Sequence, residues 1–159
     1  MGESIEVDVP GWKRLRLTTL VLDVNGTIAL DGELLPEVQD RLQALRSRLD
    51  VHLLSADTYG QLSQISVQLG VAGRRLDPGN ESEQKASFVE QLGPSGVVAV
   101  GNGMNDVGML KAADLSIAVI GHEGLAIPAL LASDIVAGSI GEALDLLLQP
   151  RRLVASLRR

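Results

Sequence analysis

Four polar features of this sequence could contribute to one chemical site, and three of them directly follow apolar segments. Asp23 and Ser55 each come directly after a short, mainly apolar segment, and the glycine-rich motif 101–106 follows another. Lys85 lies between them, near the start of a segment with helical periodicity. Because open α/β sheets place their chemistry at the carboxyl ends of the strands, we expect these groups to meet at one edge of a sheet.

The chemistry that these residue types could perform is nucleophilic attack on a phosphate ester. An ionised Asp23 could attack phosphorus in line and form an acyl phosphate. Alternatively, Asp23 could have no chemical role and simply cap the junction between strand and loop. Gly26 allows a sharp turn and Thr27 offers a hydroxyl, so this loop could hold an anion or could be a simple tight turn. Ser55 could hydrogen-bond a phosphoryl oxygen or serve only as a turn residue.

Lys85 offers a positive charge that could neutralise a phosphoryl group beside Asp23. Alternatively, Lys85 could lie in solvent on a helix face and form an ion pair with Glu81, four residues earlier. His122, in a Gly-His-Glu-Gly segment, could face the same site, whereas His52 alternates within a strand and is predicted to be structural.

The order of these motifs resembles that of the haloacid dehalogenase superfamily. Residues 23–27 read Asp-Val-Asn-Gly-Thr, and Ser55, Lys85 and the motif Gly-Asn-Gly-Met-Asn-Asp at 101–106 follow in order. The last motif is most similar to the phosphorylation domain of P-type ATPases, and the resemblance extends over residues 20–148. It implies an α/β fold with a Rossmann-like, doubly wound parallel sheet. It also implies a magnesium-dependent phosphohydrolase, similar to small soluble P-type-ATPase-like proteins and to capless phosphatases of sugar-acid phosphates.

The resemblance further implies a role for each matching residue. The residues expected to be catalytic are Asp23, Asn25, Ser55 and Lys85. The residues expected to bind phosphate are Gly26, Thr27, Ser55, Ala56 and Lys85. The ligands expected to hold Mg²⁺ are Asp23, the backbone carbonyl of Asn25, Asn102, and Asp106 directly or through water.

Two amides depart from the pattern of the superfamily. Asn25 stands where its phosphatases usually carry a second aspartate, so acid-base assistance is missing and turnover is expected to be slow. Asn102 stands where a metal-binding aspartate is usual, which predicts weaker magnesium binding. The alternative hypothesis is a non-catalytic phosphate-binding or partner-binding module on the same fold.

The composition argues against several other classes of protein. Aromatic residues make up 2% of the 159 residues and the formal charge is −6, which argues against a nucleic-acid-binding surface. The absence of cysteine excludes disulfides and thiolate chemistry. No segment reads as a membrane span or a signal peptide, so we expect a cytoplasmic protein. Its expected substrate is a phosphorylated small molecule, a nucleotide or a phosphoprotein.

The apolar periodicity predicts alternating strands and helices in a single domain over residues 1–150, followed by a basic tail over residues 151–159. An N-terminal β-hairpin, formed by residues 4–9 and 14–17, is expected at the edge of the sheet.

The spacing of the motifs leaves no room for a cap domain. One helix-containing crossover accounts for the interval from Asp23 to Ser55, and a second accounts for the interval from Ser55 to Lys85. The second interval includes a helix predicted over residues 58–69, and a later helix is predicted over residues 123–131. An open site without a cap predicts a homo-oligomer, in which a neighbouring subunit covers the site.

Overall fold

The structure is a computed structural model that describes residues 3–57 and 60–159, and its main element is a parallel sheet of six strands. The strands in chain order are β1 (Ile5–Asp8), β2 (Arg14–Leu17), β3 (Thr19–Asp23), β4 (Ala29–Leu30), β5 (Glu33–Leu34), β6 (Asp50–Ser55), β7 (Ala72–Arg75), β8 (Val97–Gly101), β9 (Leu115–Val119) and β10 (Ile135–Ala137). The sheet has the order β10-β9-β8-β3-β6-β7, so β3 lies between β6 and β8. This order brings the carboxyl ends of three motif-bearing strands side by side.

Helices connect the strands of the sheet. They are α1 (Gln39–Leu45), α2 (Gln61–Leu69), α3 (Glu81–Leu92), α4 (Val107–Ala112), α5 (Ile127–Leu131), α6 (Ile140–Leu148) and α7 (Arg151–Leu157), with a 3-10 helix at Met104–Asp106 before α4. Local signals mark several ends: the Ser139 hydroxyl accepts a hydrogen bond from the N–H of Glu142 at the start of α6, at 3.1 Å. At the end of α2, Gly70 adopts the left-handed conformation, with φ 66°.

The helices cover both faces of the sheet and bury two apolar clusters. Leu20 and Leu22 of β3 belong to the larger cluster, together with side chains of α1, α2 and α6. Val21 points to the opposite face and packs with side chains of α3, α4 and α5. The continuous apolar character of β3, β8 and β9 follows from this burial on both faces.

The N-terminal hairpin is present, but its predicted position at the edge of the main sheet is wrong. Strands β1 and β2 pair antiparallel as a separate two-stranded sheet. Their buried side chains, among them Ile5, Leu15 and Leu17, join the larger apolar cluster. The period-two alternation correctly predicted one buried face, but it carries no information about which surface that face contacts.

The basic C-terminal residues form α7, which packs against the rest of the chain. Leu153 is fully buried in the larger cluster. The backbone N–H of Arg159 donates to the carbonyl oxygen of Pro10 at 2.8 Å, and its guanidinium lies 5.0 Å from the centre of the Trp12 ring. The division into a domain of residues 1–150 and a tail stays a prediction.

The predicted starts of helices α2 and α5 have different outcomes. Helix α2 begins at Gln61, and the predicted start at Thr58 lies outside the described residues. Helix α5 begins at Ile127 because Pro128 favours a helical first turn and the preceding residues form a turn closed by Gly121 and Gly124. Residues predicted as the start of α5 therefore lie in a loop. Across residues 3–57 and 60–159, no helix has the length and hydropathy needed to cross a bilayer.

Candidate active site

A buried ion-pair cluster lies at the carboxyl edge of the sheet. The ammonium group of Lys85 donates to Oδ1 of Asp23 at 2.6 Å and to Oδ1 of Asp106 at 2.7 Å. Asp23 ends β3, Lys85 comes from the early turns of α3, and Asp106 ends the 3-10 helix after β8. The Lys85 side chain is only 1% exposed, so the solvated helix-face alternative is wrong. Glu81 instead accepts a hydrogen bond from the side chain of Asn105.

Burial and neighbouring charges shift the proton affinities of this cluster. Burial, and then repulsion by Asp106, raise the pKa of Asp23 from 3.8 to about 6, although Lys85 and Thr27 oppose the rise. Burial alone would lower the pKa of Lys85, but the two aspartates raise it above its ordinary value. Lys85 is therefore a fixed positive charge at neutral pH, beside a carboxylate that is less stable in its charged form than an exposed one.

The glycine-rich loop after β8 is organised around Asp106. Oδ2 of Asp106 accepts hydrogen bonds from the backbone N–H groups of Asn102 and Gly103, both at 2.9 Å. Because Oδ1 accepts from Lys85, both carboxylate oxygens are engaged and the side chain is fully buried. Gly101 permits this packing, since a Cβ on it would lie 2.5 Å from Cγ of Asp106.

Thr27 links the loops that follow β3 and β8. Its hydroxyl lies 2.9 Å from Oδ2 of Asp23 and 3.1 Å from Oδ1 of Asn102, and it can donate to either oxygen. The carbonyl of Val24 accepts from the N–H groups of Thr27 and of the next two residues, which closes a tight turn. Gly26 within this turn has φ +80°, a conformation that favours glycine. The geometry is compatible with both roles of this loop, a simple tight turn and a turn that also holds an anion.

Ser55 lies at the end of β6, next to the end of β3 in the sheet. Its hydroxyl oxygen accepts from the N–H of Asp57 at 3.0 Å, so its proton remains able to donate into the adjoining cavity. Asp57 in turn accepts from the N–H of Leu62 in the first turn of α2, at 3.0 Å. Ala56 lies between them and lines the same cavity.

Two open cavities, of about 510 and 550 Å³, adjoin Asp23. Both are lined by Asp23, Asn25, Asn105 and Glu123. The first extends towards Ser55 and α2, and the second towards Asn102. All the residues expected to act in catalysis or to hold phosphate or metal therefore lie at or directly behind one edge of the sheet.

Three carboxylates that line the first cavity were missed by the sequence analysis. Asp31 lies at the tip of the β4–β5 hairpin, Asp57 follows Ser55, and Glu123 lies in the loop after β9. The short hairpin and the loop carry little periodicity, so only their tertiary contacts bring these residues to the site. Asp57 could have been suspected from its place two residues after Ser55.

The two histidines lie outside these cavities. His122 is exposed and lines a different, smaller cavity with Thr27 and residues of the α6 start. His52 is half-buried in β6 and makes an edge-to-face contact with Phe88, with ring centres 5.4 Å apart. Burial lowers the pKa of His52, which agrees with the predicted structural role.

The donor atoms at this edge fit a magnesium ion. Asp23, Asn25 and Asn102 line one cavity and offer a carboxylate, a backbone carbonyl and an amide oxygen, all of the hard type that Mg²⁺ prefers. In the described part of the chain, no cluster of three Asp, Glu, His or Cys side chains is arranged to bind a metal. A magnesium ion here would keep several water ligands, as it usually does.

Comparison with known proteins identifies relatives over most of the chain. A model of the family described as haloacid dehalogenase-like hydrolase matches residues 3–114. A soluble P-type ATPase-like phosphatase of Methanocaldococcus jannaschii is 27% identical over 144 residues, which are 89% of this chain and 53% of that protein. An uncharacterised protein of the same organism is 45% identical over 84 residues, which are 50% of this chain and 90% of that protein.

Solved structures share the fold. The 3-deoxy-D-manno-octulosonate 8-phosphate phosphatase of Moraxella catarrhalis, in complex with magnesium, phosphate and the sugar acid, aligns with a TM-score of 0.68 and 16% identity. The alignment covers 89% of this chain and 94% of that one. A zinc-transporting PIB-type ATPase aligns with a TM-score of 0.60 and 22% identity, over 77% of this chain and 20% of the transporter. At these identities the likeness shows the fold alone.

Proposed function

The chain belongs to the haloacid dehalogenase-like hydrolase family, and from this premise we propose that it hydrolyses phosphate esters through an aspartyl-phosphate on Asp23. Membership of the family confirms the resemblance seen in the sequence, and hydrolysis is the activity of the family. The observation that carries the proposal is the contact of the buried Lys85 with Asp23, which lines an open cavity.

The first step is attack by a carboxylate oxygen of Asp23 on the phosphorus of the ester. A bond forms between this oxygen and phosphorus, and the ester P–O bond breaks with its electron pair left on the departing oxygen. Lys85 supplies the positive charge that offsets the negative charge of the incoming phosphoryl group. Its contact with Asp106 keeps the ammonium group in place and leaves it charged.

The phosphoryl oxygens are expected to be bound by groups at the ends of β3 and β6. The Ser55 hydroxyl has a free proton to donate, and the chain after it continues through Ala56 along the wall of the cavity. Gly26 and Thr27 form the tight turn after Asp23, and the Thr27 hydroxyl lies 2.9 Å from Oδ2 of Asp23. These groups come from loops on adjacent strands, so they can approach the phosphoryl group from two sides.

We propose Mg²⁺ as the cofactor, held by Asp23, the carbonyl of Asn25 and Asn102, with Asp106 acting through water. When bound, the ion neutralises charge on the phosphoryl group. Asp106 is assigned to the outer shell because it is fully buried behind the cavities that Asp23 lines, with Lys85 and two backbone N–H groups on its oxygens. Asn102 contributes a neutral oxygen, so the binding should be weaker than with an aspartate.

Asn25 is expected to make the reaction slow. An amide has no accessible pKa with which to protonate the leaving group or deprotonate water, and such assistance typically contributes about 10²- to 10⁴-fold. Esters whose leaving groups are stable as anions should therefore be preferred. We propose a phosphorylated small molecule as the substrate, with a nucleotide or a phosphoprotein as the alternatives.

The test is hydrolysis of p-nitrophenyl phosphate with and without Mg²⁺ by the wild type and by Asp23→Asn. The substitution keeps the size of the side chain but removes the nucleophile, so activity should fall to background while the circular dichroism spectrum is retained. An Asp23→Asn protein with wild-type activity contradicts the proposal. A wild type that binds phosphate but never turns over would favour the binding-module alternative.

A homo-oligomer and a cytoplasmic location stay predictions of the sequence analysis. The open cavities, the exposed edge strand β7 and the exposed Val136 of the other edge strand, β10, support association with a second copy of the chain.

A further inference from the structure

The loop that follows β9 brings a carboxylate to the site from a segment that carries none of the recognised motifs. Glu123 is exposed in this loop and lines both cavities beside Asp23. No described residue hydrogen-bonds or ion-pairs with its side chain, so both carboxylate oxygens remain able to accept a proton or a hydrogen bond.

Two glycines allow this loop to approach the loop after Asp23. A Cβ on Gly26 would lie only 2.2 Å from Oε2 of Glu123, and a Cβ on Gly121 would lie 2.6 Å from the carbonyl oxygen of Gly26. A side chain at Gly121 would collide with backbone and force the loops apart, whereas one at Gly26 would displace the Glu123 carboxylate from its place beside the turn. Glu123 is held against the residue that directly follows Asn25, the position where an acid-base group is missing.

The loop is also tethered to the glycine-rich motif, which limits its motion. The side-chain N–H of Asn102 donates to the carbonyl of Gly124 at 3.3 Å, and the Asn102 carbonyl accepts from the N–H of Ala126 at 2.9 Å. Within the loop, the N–H of Gly124 donates to the carbonyl of Gly121 at 2.9 Å. Glu123 lies between these anchors, so its backbone is placed by three contacts.

We propose that Glu123 is a catalytic residue: the general base that activates water for hydrolysis of the aspartyl-phosphate. The assignment rests on the proposed function, because it requires an aspartyl-phosphate on Asp23. Asn25, which lines the same cavities, can hydrogen-bond the attacking water but cannot take its proton.

The step balances without any further reactant. The water oxygen forms a bond to phosphorus, and one water proton passes to the Glu123 carboxylate. The bond between phosphorus and the Asp23 oxygen breaks, and its electron pair restores the Asp23 carboxylate. Glu123 then releases the proton to solvent through the open cavity, and inorganic phosphate leaves.

Stopped-flow kinetics with p-nitrophenyl phosphate and Mg²⁺ separates the phosphorylation of Asp23 from the hydrolysis of the aspartyl-phosphate. In Glu123→Gln, p-nitrophenol should appear in a burst of one equivalent per site at the wild-type rate, because the phosphorylation step does not use Glu123. The later steady-state rate should fall about 10²-fold or more below that of the wild type. Glu90→Gln, a carboxylate on the exposed face of α3, is the matched control and should leave both phases unchanged.

A second pair of variants tests the chemical nature of the role. Asn25→Asp supplies a carboxylate next to the same water. Glu123→Gln should therefore lower the steady-state rate far less in the Asn25→Asp protein than in the wild type. Exogenous formate should partly restore the steady-state rate of Glu123→Ala, in which the truncated side chain leaves room for a carboxylate, and should leave the burst unaffected.

Several results would overturn the role. A Glu123→Gln protein with the wild-type steady-state rate excludes a base at this position, and a burst slowed as much as the steady state excludes a role confined to hydrolysis. Thermal melting of each variant shows whether the fold is retained. Failure of the proposed function looks different: the wild type releases no p-nitrophenol, or Asp23→Asn retains activity, and this inference then fails with it.

Discussion

The negative charge that the proposed reaction requires on Asp23 is unfavourable for the stability of the folded protein, even with Lys85 in contact. Burial and the charge of Asp106 raise the pKa of Asp23 to about 6, which means that the charged form is disfavoured in the folded protein despite Lys85. At neutral pH this carboxylate is ionised, as a nucleophile must be. The folded state therefore carries an unfavourable charge that the proposed chemistry requires.

Replacing Asp23 by asparagine should stabilise the metal-free protein at pH 7. The folded protein holds the Asp23 proton more tightly than the unfolded chain does, so this group favours folding at low pH and the advantage is lost as pH rises from 3.8 to about 6. Removing the charge should raise the free energy of unfolding at pH 7 by up to about 3 kcal/mol. Urea denaturation in EDTA measures the change.

The control for this measurement is Asp8→Asn, an exposed carboxylate in β1 that should change the urea midpoint little. The stability of Asp23→Asn should also vary less between pH 4 and pH 6.5 than that of the wild type. An Asp23→Asn protein that is less stable than the wild type at pH 7 would mean that the ion pair with Lys85 outweighs burial.

Restoring a carboxylate at each of the two amide positions should affect different quantities. Asn25→Asp places an acid-base group beside the phosphoryl site, so it should raise kcat by up to about 10²- to 10⁴-fold where proton transfer limits the rate. Asn102→Asp adds a charged oxygen next to Asp23, so it should mainly lower the Mg²⁺ concentration at half-maximal rate. Steady-state kinetics over a magnesium titration measures both; a change confined to magnesium affinity in Asn25→Asp would contradict the assignment.

The packing of α3 against α4 is the feature of secondary structure that positions the ion-pair cluster. Lys85 lies on α3, and Asp106 directly precedes α4. Gly108 of α4 allows the close approach, because a Cβ on it would lie 2.4 Å from the backbone oxygen of Ser82. The N–H of Gly108 also donates to the Ser82 hydroxyl at 2.9 Å.

Gly108→Ala should destabilise the protein and lower its activity. Alanine gains about 1 kcal/mol of helix propensity over glycine, but the new Cβ collides with backbone that cannot rotate away, and such overpacking costs about 1–3 kcal/mol. The separation of α3 from α4 should also disturb the contact of Lys85 with Asp106. Thermal melting and phosphatase assays, compared with the exposed Lys111→Ala on the same helix, test this; an unchanged activity would contradict it.

The strands were predictable where apolar runs end in polar motif residues. Strands β3 and β8 lie where apolar segments were recognised before Asp23 and in front of the motif 101–106, because both strands are buried on both faces and have no competing periodicity. Glu123 was predicted to begin a helix, but it lies in a loop. The contacts that hold this loop involve Gly26 and Asn102, which are distant in the chain and leave no signal in the local sequence. The roles proposed for the site residues stay predictions, although the structure brings those residues together.

The whole molecule presents an open site and uncovered apolar side chains. Ile127 and Leu131 of α5 are 65% and 76% exposed, and Val136 of the edge strand β10 is 39% exposed. Capless topology leaves the cavities beside Asp23 accessible from solvent. Both features are expected of a chain that associates with a second copy.

Light scattering at micromolar concentration should report a mass above the 16.8 kDa of one chain. Replacing Ile127 and Leu131 together by aspartate should reduce the mass to that of the monomer if α5 takes part in the contact, and it should leave the circular dichroism spectrum unchanged. A wild-type particle of 16.8 kDa would contradict association.

Peptide mapping of acid-quenched enzyme tests whether Asp23 carries the phosphoryl group during turnover. The wild type is mixed with p-nitrophenyl phosphate and Mg²⁺, quenched in acid, which preserves acyl phosphates, and digested for mass spectrometry. One phosphoryl group is expected on the peptide that contains Asp23, at a higher level in Glu123→Gln and absent from Asp23→Asn. A phosphoryl group on a different residue, or turnover with no phosphorylated peptide in either the wild type or Glu123→Gln, would contradict nucleophilic catalysis by Asp23.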